Sequence, residues 1–175
     1  DAWWVWVAGL ILYDFCYYWN HRLGHEVALF WAAHVVHHQS EEFNLTTALR
    51  QTSTGFLAGW VFYIPCFVAG VPAQVFVTVA SVHLIYQFWI HSRHIPKLGV
   101  LEWFLVTASN HRVHHAQNAA YVDKNYGGLL LVCRQPETGI QLLGAAHVIL
   151  QGIRHRMPRQ VDKALIGLAP VAWVD

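Results

Sequence analysis

The chain has 175 residues, of which 55% are hydrophobic and only 12% are charged, and its formal net charge is +1. A typical soluble protein is about 25% charged, so this composition favours contact with a membrane. The nearly balanced charge gives no electrostatic attraction to nucleic acid, and no nucleic-acid partner is expected.

The first predicted element is the apolar run AWWVWVAGLILYDFCYYW at residues 2–19, in which Asp14 is the one charged residue. Its length suits a membrane helix that continues into polar sequence at Asn20. A signal peptide is not expected, because no basic stretch precedes the run and no small-residue cleavage site follows it.

The next predicted elements lie in residues 51–92, which contain no Asp, Glu, Lys or Arg. Gly70 and Pro72 give the strongest turn signal in this stretch. It is therefore predicted to form a helical hairpin that either spans the bilayer or dips deep into it, since each helix is close to the roughly 20 residues of a full span. A hairpin returns the chain to the side it left. Because every Lys and Arg lies outside residues 51–92, the positive-inside rule places that side in the cytoplasm.

The end of the chain differs in character from the rest. Residues 144–175 mix basic side chains such as Arg156 and Lys163 with apolar ones, which predicts an amphipathic segment on the membrane surface, bent at Pro158. The predicted division is a membrane domain at 1–143 and this C-terminal segment at 144–175.

Histidine accounts for 13 residues, and eight of them fall in three motifs: HRLGH at 21–25, HVVHH at 34–38 and HRVHH at 111–115. Residues three and four apart share a face of a helix, so each motif presents its imidazoles together. The predicted hairpin returns the third motif to the side of the first two. Eight imidazoles are therefore expected to converge just outside the bilayer.

A metal site explains this concentration of histidine better than packing does. Clustered imidazoles repel one another when protonated and lose hydration when buried, and a bound metal removes both problems. Eight ligands exceed the four of one tetrahedral zinc site, so two ions are predicted, each with three or four imidazoles. Imidazole nitrogen does not by itself choose among iron, copper, zinc and nickel.

Two familiar kinds of metalloprotein fit the motifs poorly. HEVAL at 25–29 lacks the second histidine of the metalloprotease motif H-E-x-x-H, and a bis-histidine haem protein needs single, widely spaced histidines. A membrane metal-binding or transport protein without catalytic activity remains the alternative. A transporter is expected to carry polar groups through the membrane. Residues 51–92 offer only His83, predicted as a core or channel residue, and a few hydroxyls and amides, which disfavours a transporter.

The three motifs, divided by a membrane hairpin, resemble the eight-histidine pattern of the fatty acid hydroxylase/sterol desaturase superfamily over roughly residues 12–130. YDFCYYWNHRLGH, HVVHHQSEEFNLTTALRQ, YQFWIHS and NHRVHHAQNAAYVDKNYGG look most like its alkylglycerol monooxygenase-type branch. The family ligands, carried over to this chain, are His21, His25, His34, His37, His38, His111, His114 and His115. His91 occupies a position where related members place a further histidine, and it is predicted as a ninth ligand.

The expected fold is all-α, with membrane helices below a cytoplasmic, histidine-rich helical cap that holds a dinuclear metal site. The resemblance implies two iron ions and O2 as co-substrate, and hydroxylation or desaturation of a lipid such as a fatty acyl chain, an alkylglycerol or a sterol. It also implies a separate electron donor of cytochrome b5, ferredoxin or pterin type, and a lipid that enters from the bilayer.

Outer partners of the ligands are predicted from the chemistry of metal-bound imidazole, which usually donates its second N–H to a carboxylate or carbonyl. Asp14 lies seven residues before His21 and shares its helical face, while Asn110 and Asp123 flank the motifs. NYGG at 125–128 predicts a turn whose glycines let the backbone approach the site.

The chain departs from the family pattern directly after NYGG. The family continues through a segment built around Trp-Asp-Arg and Phe-Gly-Thr, whereas this chain has LLLVCRQPETGIQ at 129–141. A lid or docking surface near the ligands is therefore expected to differ.

Overall fold

The structure is a computed structural model that describes residues 2–51, 54–117 and 121–131. Within these ranges every regular element is helical, and one isolated antiparallel bridge joins Leu105 to Leu130. The all-α class is therefore confirmed for the described chain. The predicted segment at 144–175 and its boundary lie outside the described residues.

In chain order the described α-helices are α1 (Trp3–Glu26), α2 (Ala28–His38), α3 (Leu45–Leu49), α4 (Phe56–Gly59), α5 (Ile64–Val68), α6 (Ala73–Ile90) and α7 (Ala108–His115). Two short 3-10 helices accompany them, Trp60–Tyr63 between α4 and α5 and Gly99–Trp103 before α7.

A single residue separates α1 from α2 and brings the first two motifs together. Val27 has extended dihedral angles, φ −110° and ψ 121°, which interrupt the helix. As a result the rings of His25 and His38 lie with their centroids 4.6 Å apart, and those of His21 and His34 lie 4.9 Å apart.

The apolar region between α4 and α6 breaks where the turn is predicted. α5 ends at Val68, and α6 begins at Ala73 after Pro72. Gly70 adopts φ 76° in this break, a left-handed conformation that glycine reaches without steric cost because it has no Cβ.

Among the described helices, α6 is the one long and apolar enough to cross a membrane by length and composition. Only 22% of it is buried, whereas the core helix of a soluble protein is mostly buried. The apolar stretch Phe56–Val68 is shorter, and α1, predicted as a third membrane helix, does not meet the same criteria. Large apolar side chains are nevertheless exposed on both long helices, including Trp3 and Phe15 on α1 and Val77 and Ile85 on α6.

Hydrogen bonds that α7 donates to the connecting segment hold it against the end of α6. Arg112 donates through Nη1 to the carbonyl oxygens of Ser92 and Ile95, at 3.0 Å and 2.8 Å. The segment between α6 and α7 also contains Glu102, a buried carboxylate that accepts a hydrogen bond from the Ser109 hydroxyl in the first turn of α7. These contacts place the third histidine motif beside the end of α6.

Candidate metal centre

The nine histidines predicted as ligands lie in two adjacent groups. Within each group, one ring nitrogen from every histidine lies within 4.8 Å of those of the other members. Group one consists of His21, His25, His34, His38 and His114, and group two consists of His37, His91, His111 and His115. Their role as metal ligands stays a prediction.

Each H-x-x-H-H motif contributes to both groups. In α2, His37 belongs to group two and its motif neighbours to group one, whereas in α7, His114 belongs to group one and its motif neighbours to group two. His38 and His115, which come from different groups, stack with ring centroids 4.2 Å apart. The two groups therefore touch where α2 and α7 meet.

Backbone carbonyls from segment 121–131 orient two rings of group one. The Nδ1 atom of His21 lies 3.0 Å from the carbonyl oxygen of Tyr126, and that of His114 lies 2.9 Å from the carbonyl oxygen of Lys124. A carbonyl only accepts hydrogen bonds, so both Nδ1 atoms carry the proton and donate it. Each ring is thereby fixed in one tautomer and one orientation.

Two left-handed residues shape this segment. Asp123 has φ 61° and Asn125 has φ 58°, a conformation that short polar side chains tolerate better than most. Lys124 lies between them and turns its carbonyl toward α7. The carboxylate of Asp123 also lies 3.6 Å from Nδ1 of His25, a member of group one.

The remaining nitrogens of group one are suited to binding a cation. Because Nδ1 of His21 and His114 is protonated, their Nε2 atoms carry lone pairs. These two Nε2 atoms and that of His25 are buried and have no hydrogen-bond partner among the described residues. A buried polar atom left without a partner costs about 1–3 kcal/mol, which a metal ion would remove.

Two rings of group two are also oriented through Nδ1 by backbone carbonyls, which here belong to other parts of the chain. Nδ1 of His37 lies 3.3 Å from the carbonyl oxygen of Arg50, and Nδ1 of His91 lies 2.6 Å from that of Gln87. The Nε2 atoms of these two rings therefore both carry lone pairs, yet they lie only 3.1 Å apart. Two facing lone pairs repel unless a cation lies between them, so the donor set fits a metal ion here as well.

The nitrogen separations also agree with coordination of one ion by each group. Imidazole binds zinc at about 2.1 Å, so two ligands of such an ion lie at most about 4.2 Å apart. The closest Nε2 pairs within the groups are 2.9–3.2 Å apart. The widest separations, up to 4.8 Å, need only a small contraction.

The electrostatic environment keeps these imidazoles neutral. Burial lowers the pKa of all nine, and neighbouring imidazoles lower most of them further. The pKa falls to about 3 for His114 and to about 4 for His91. Neutral imidazole is the form that binds metals, so both groups are in the binding form at neutral pH.

Asp14 differs from the expectation in its contacts. It shares the α1 face of His21 but lies about 10 Å earlier along the helix axis. Its carboxylate accepts a hydrogen bond at 2.8 Å from His83, which is buried in α6, rather than from an imidazole of either group.

Asn110 also bonds elsewhere than expected. Its Nδ2 donates to the backbone carbonyl oxygen of Leu105 at 3.4 Å, and its own backbone carbonyl accepts a hydrogen bond from Nδ2 of Asn125 at 3.2 Å. Asn110 therefore ties α7 to the turn of segment 121–131 instead of holding a ring directly.

The supporting carbonyls of Arg50, Gln87 and Lys124 were not predicted, because every residue carries the same carbonyl and no sequence pattern marks the one that will be used. NYGG gave a partial signal. It predicts that the backbone approaches the site, and the carbonyl of Tyr126 makes such an approach to His21.

Comparison with known proteins gives a consistent picture. The family model for fatty acid hydroxylases matches residues 6–134. An alkylglycerol monooxygenase of Xenopus tropicalis is 44% identical over 155 residues, covering 85% of this chain and 34% of the relative. That of Homo sapiens is 46% identical over 132 residues, covering 75% of this chain and 29% of the relative.

A more distant relative is the ornithine lipid hydroxylase OlsE of Rhizobium tropici, 28% identical over 149 residues, covering 81% of this chain and 41% of the relative. No solved structure was found to match the chain. The chain spans about a third of the length of the alkylglycerol monooxygenases from Xenopus tropicalis and Homo sapiens. Because the family match covers most of the chain and includes every histidine of both groups, the chain belongs to the fatty acid hydroxylase family.

Proposed function

We propose that the chain forms the metal-binding core of a membrane-bound, non-haem di-iron oxidoreductase that uses O2 to hydroxylate or desaturate a lipid. The observation that carries this proposal is the pair of adjacent groups of buried or half-buried, neutral imidazoles whose lone pairs face one another. Family membership supports it, as do relatives named as a monooxygenase of alkylglycerol and a hydroxylase of an ornithine lipid.

Group one would hold one iron ion and group two the other. When bound, the pair of ions supplies the activation of O2 and the oxidation of a C–H bond, chemistry that protein side chains do not provide. The chain itself orients the ligands: carbonyls of segment 121–131 fix rings of group one, and carbonyls of Arg50 and Gln87 fix rings of group two.

Aromatic side chains shield both groups from bulk water. Trp31 and Tyr126 lie against group one, with ring centroids 5.2 Å and 5.3 Å from that of His25. Phe43 lies against group two, 5.2 Å from the ring of His115, and is 3% exposed. Exclusion of water strengthens electrostatic interactions and limits side reactions during oxidation of an apolar carbon.

We place the site at one end of the candidate membrane helix, on the cytoplasmic side. His91 of group two directly follows Ile90, the last residue of α6. A lipid in the bilayer therefore has a short path to the site along the exposed apolar side chains of α6. The proposed substrate is a fatty acyl chain, an alkylglycerol or a sterol, and the electrons come from a separate donor of cytochrome b5, ferredoxin or pterin type.

The test combines metal analysis with product detection. The protein is purified from membranes and loaded anaerobically with iron, after which iron content and O2 consumption with a chemical reductant are measured. Lipids of cells with and without the protein are compared by mass spectrometry. We expect two iron ions per chain, O2 consumption and an oxidised lipid. Iron binding without O2 consumption or product would favour a metal-binding or transport protein instead.

A further inference from the structure

Asp14 of α1 is a buried carboxylate whose hydrogen-bonding capacity is used by two other parts of the molecule. Oδ1 accepts hydrogen bonds from Nε2 of His83 at 2.8 Å and from the backbone amide of Leu129 at 2.8 Å. Oδ2 accepts from the amide of Leu130 at 3.1 Å. Asp14 is 1% exposed and His83 is 2% exposed. The carboxylate thus joins α1, α6 and segment 121–131 at one point.

His83 is itself held in a fixed orientation. Its Nδ1 accepts a hydrogen bond from Nε2 of Gln87 at 3.0 Å, and Oε1 of Gln87 accepts one from the hydroxyl of Tyr17 at 2.7 Å. Every donor in this series of hydrogen bonds meets an acceptor when His83 is neutral and carries its proton on Nε2, directed at Asp14. The side chains of α6 and α1 therefore aim the His83 N–H at the carboxylate.

Close packing fixes the same junction. A Cβ built on Gly128 would overlap the ring of His83 and would lie 2.7 Å from Cδ1 of Tyr17, so only glycine fits. The backbone next to Leu129 is therefore pressed against both helices. Segment 121–131 is fixed here by hydrogen bonds and by shape.

This junction lies a few residues after the carbonyls that orient group one. Lys124 and Tyr126 hold the rings of His114 and His21, and the amides bound by Asp14 follow at 129 and 130. The supports of group two, the carbonyls of residues 50 and 87, belong to other parts of the chain. A displacement of segment 121–131 should therefore disturb group one and leave group two in place.

Stability alone does not account for a carboxylate at this position. A buried charged or polar pair is often no better for folding than apolar residues of similar volume, because desolvation offsets the attraction. Unlike an apolar side chain, the carboxylate of Asp14 accepts hydrogen bonds from two consecutive backbone amides. These hydrogen bonds fix the position of the segment that carries the ring-orienting carbonyls.

We propose that Asp14, with His83 as its partner, is a positioning residue for the metal ion of group one and acts through segment 121–131. The inference rests on the proposed two-metal function. Neither residue belongs to either histidine group. Their contribution is to keep the carbonyls of Lys124 and Tyr126 at the positions that fix His114 and His21.

The test compares two substitutions of similar size at position 83. Glutamine places an N–H close to the position of Nε2 and keeps the donor to Asp14, whereas leucine does not. His83→Gln, His83→Leu and wild type are purified in detergent and titrated with Co2+, which serves as the probe ion. The number of ions bound, their affinities and the ligand-field absorption are measured, and unfolding without metal is followed separately.

We expect wild type and His83→Gln to bind two Co2+ ions with similar spectra. His83→Leu should retain one ion unchanged and bind the other about 10–100-fold more weakly, as is typical when an outer partner of a metal ligand is lost. Two ions bound by His83→Leu with wild-type affinities would overturn the proposal, and so would equal losses in the glutamine and leucine variants. Failure of wild type to bind two ions would refute the proposed function instead.

If His83→Leu does not fold, Asp14→Asn tests the proposal in its place. This variant keeps the size of the side chain and removes one acceptor oxygen. Selective weakening of one ion in Asp14→Asn supports the proposal. Unchanged affinities for both ions, or loss of folding in this variant too, would overturn it, since the pair would then serve the fold rather than the site.

Discussion

The two histidine groups use the same ligand chemistry but are supported by different parts of the chain. Group two is oriented by carbonyls at the end of α3 and within α6, and two of its rings come from one turn of α7. Group one depends on carbonyls of a non-helical segment, and its bond between His21 and Tyr126 joins positions 105 residues apart. The carbonyls that orient group two therefore lie within or directly after helices, whereas those that orient group one lie in a non-helical segment, so group one should be the easier to disturb selectively.

The largest effect is expected from removing one ring from each group in turn. His114→Ala should lose the metal of group one, and His111→Ala should lose that of group two, because neither neighbouring helix can supply another nitrogen without moving. Since loss of an outer partner alone typically costs about 10–100-fold, loss of a ligand should cost at least as much and should abolish product formation. Metal content and lipid product, measured in one membrane preparation, check this.

The matched control is His94→Ala. His94 is exposed and belongs to neither group, so this variant should keep both ions and full activity. Full metal content and product in His114→Ala would contradict the assignment of the site.

A smaller and selective effect is expected from Gly127→Ala. The added Cβ would lie 2.7 Å from the carbonyl oxygen of Leu130 and 2.8 Å from Cγ2 of Val106, so the backbone beside Tyr126 must shift. The affinity for one metal ion should fall about 10–100-fold, and that for the other should not change. Titration with Co2+ measures both. Equal weakening of both ions would show that the two groups share their support.

Asp123→Asn should have a milder effect on the same group. The carboxylate lies 3.6 Å from Nδ1 of His25, longer than a good hydrogen bond, and the asparagine keeps its size and its tolerance of positive φ. We expect a loss of about tenfold or less in the affinity of group one, at the lower end of effects for outer partners. A loss as large as that of Gly127→Ala would show that the charge of Asp123, rather than backbone position, controls group one.

The smallest effect is expected at the ion pair of Glu42 and Arg93, which are 61% and 51% exposed at a separation of 3.1 Å. Such surface pairs contribute about 0–1 kcal/mol to stability because solvent screens them. Glu42→Gln should therefore change the unfolding free energy by less than about 1 kcal/mol and leave both metal affinities unchanged. A change in the affinity of either ion would reveal a coupling between this surface and the site.

Local spacing explains which parts of this arrangement could be predicted from sequence. The motif spacings predict helices and ring clusters, and Gly70 and Pro72 predict the break before α6. The spacing did not predict that His37 and His114 would each lie in a different group from the other two histidines of their motif. Residues at i, i+3 and i+4 spread over about 100° of a helix, which is wide enough to reach two groups. The position of Asp14 shows a related limit of sequence spacing. Asp14 shares a helical face with His21 but lies about 10 Å from it along the helix axis. Its hydrogen-bond partners therefore come from α6 and segment 121–131.

The measurement that tests the central claim most directly is the number of iron ions bound per intact chain, determined by elemental mass spectrometry after anaerobic loading and removal of free metal. Two separate groups of buried or half-buried, neutral imidazoles predict two ions per chain, falling to one in His114→Ala and to one in His111→Ala. A value of one or none in the wild-type chain, which contains all nine histidines of the two groups, would contradict the claim of two metal sites.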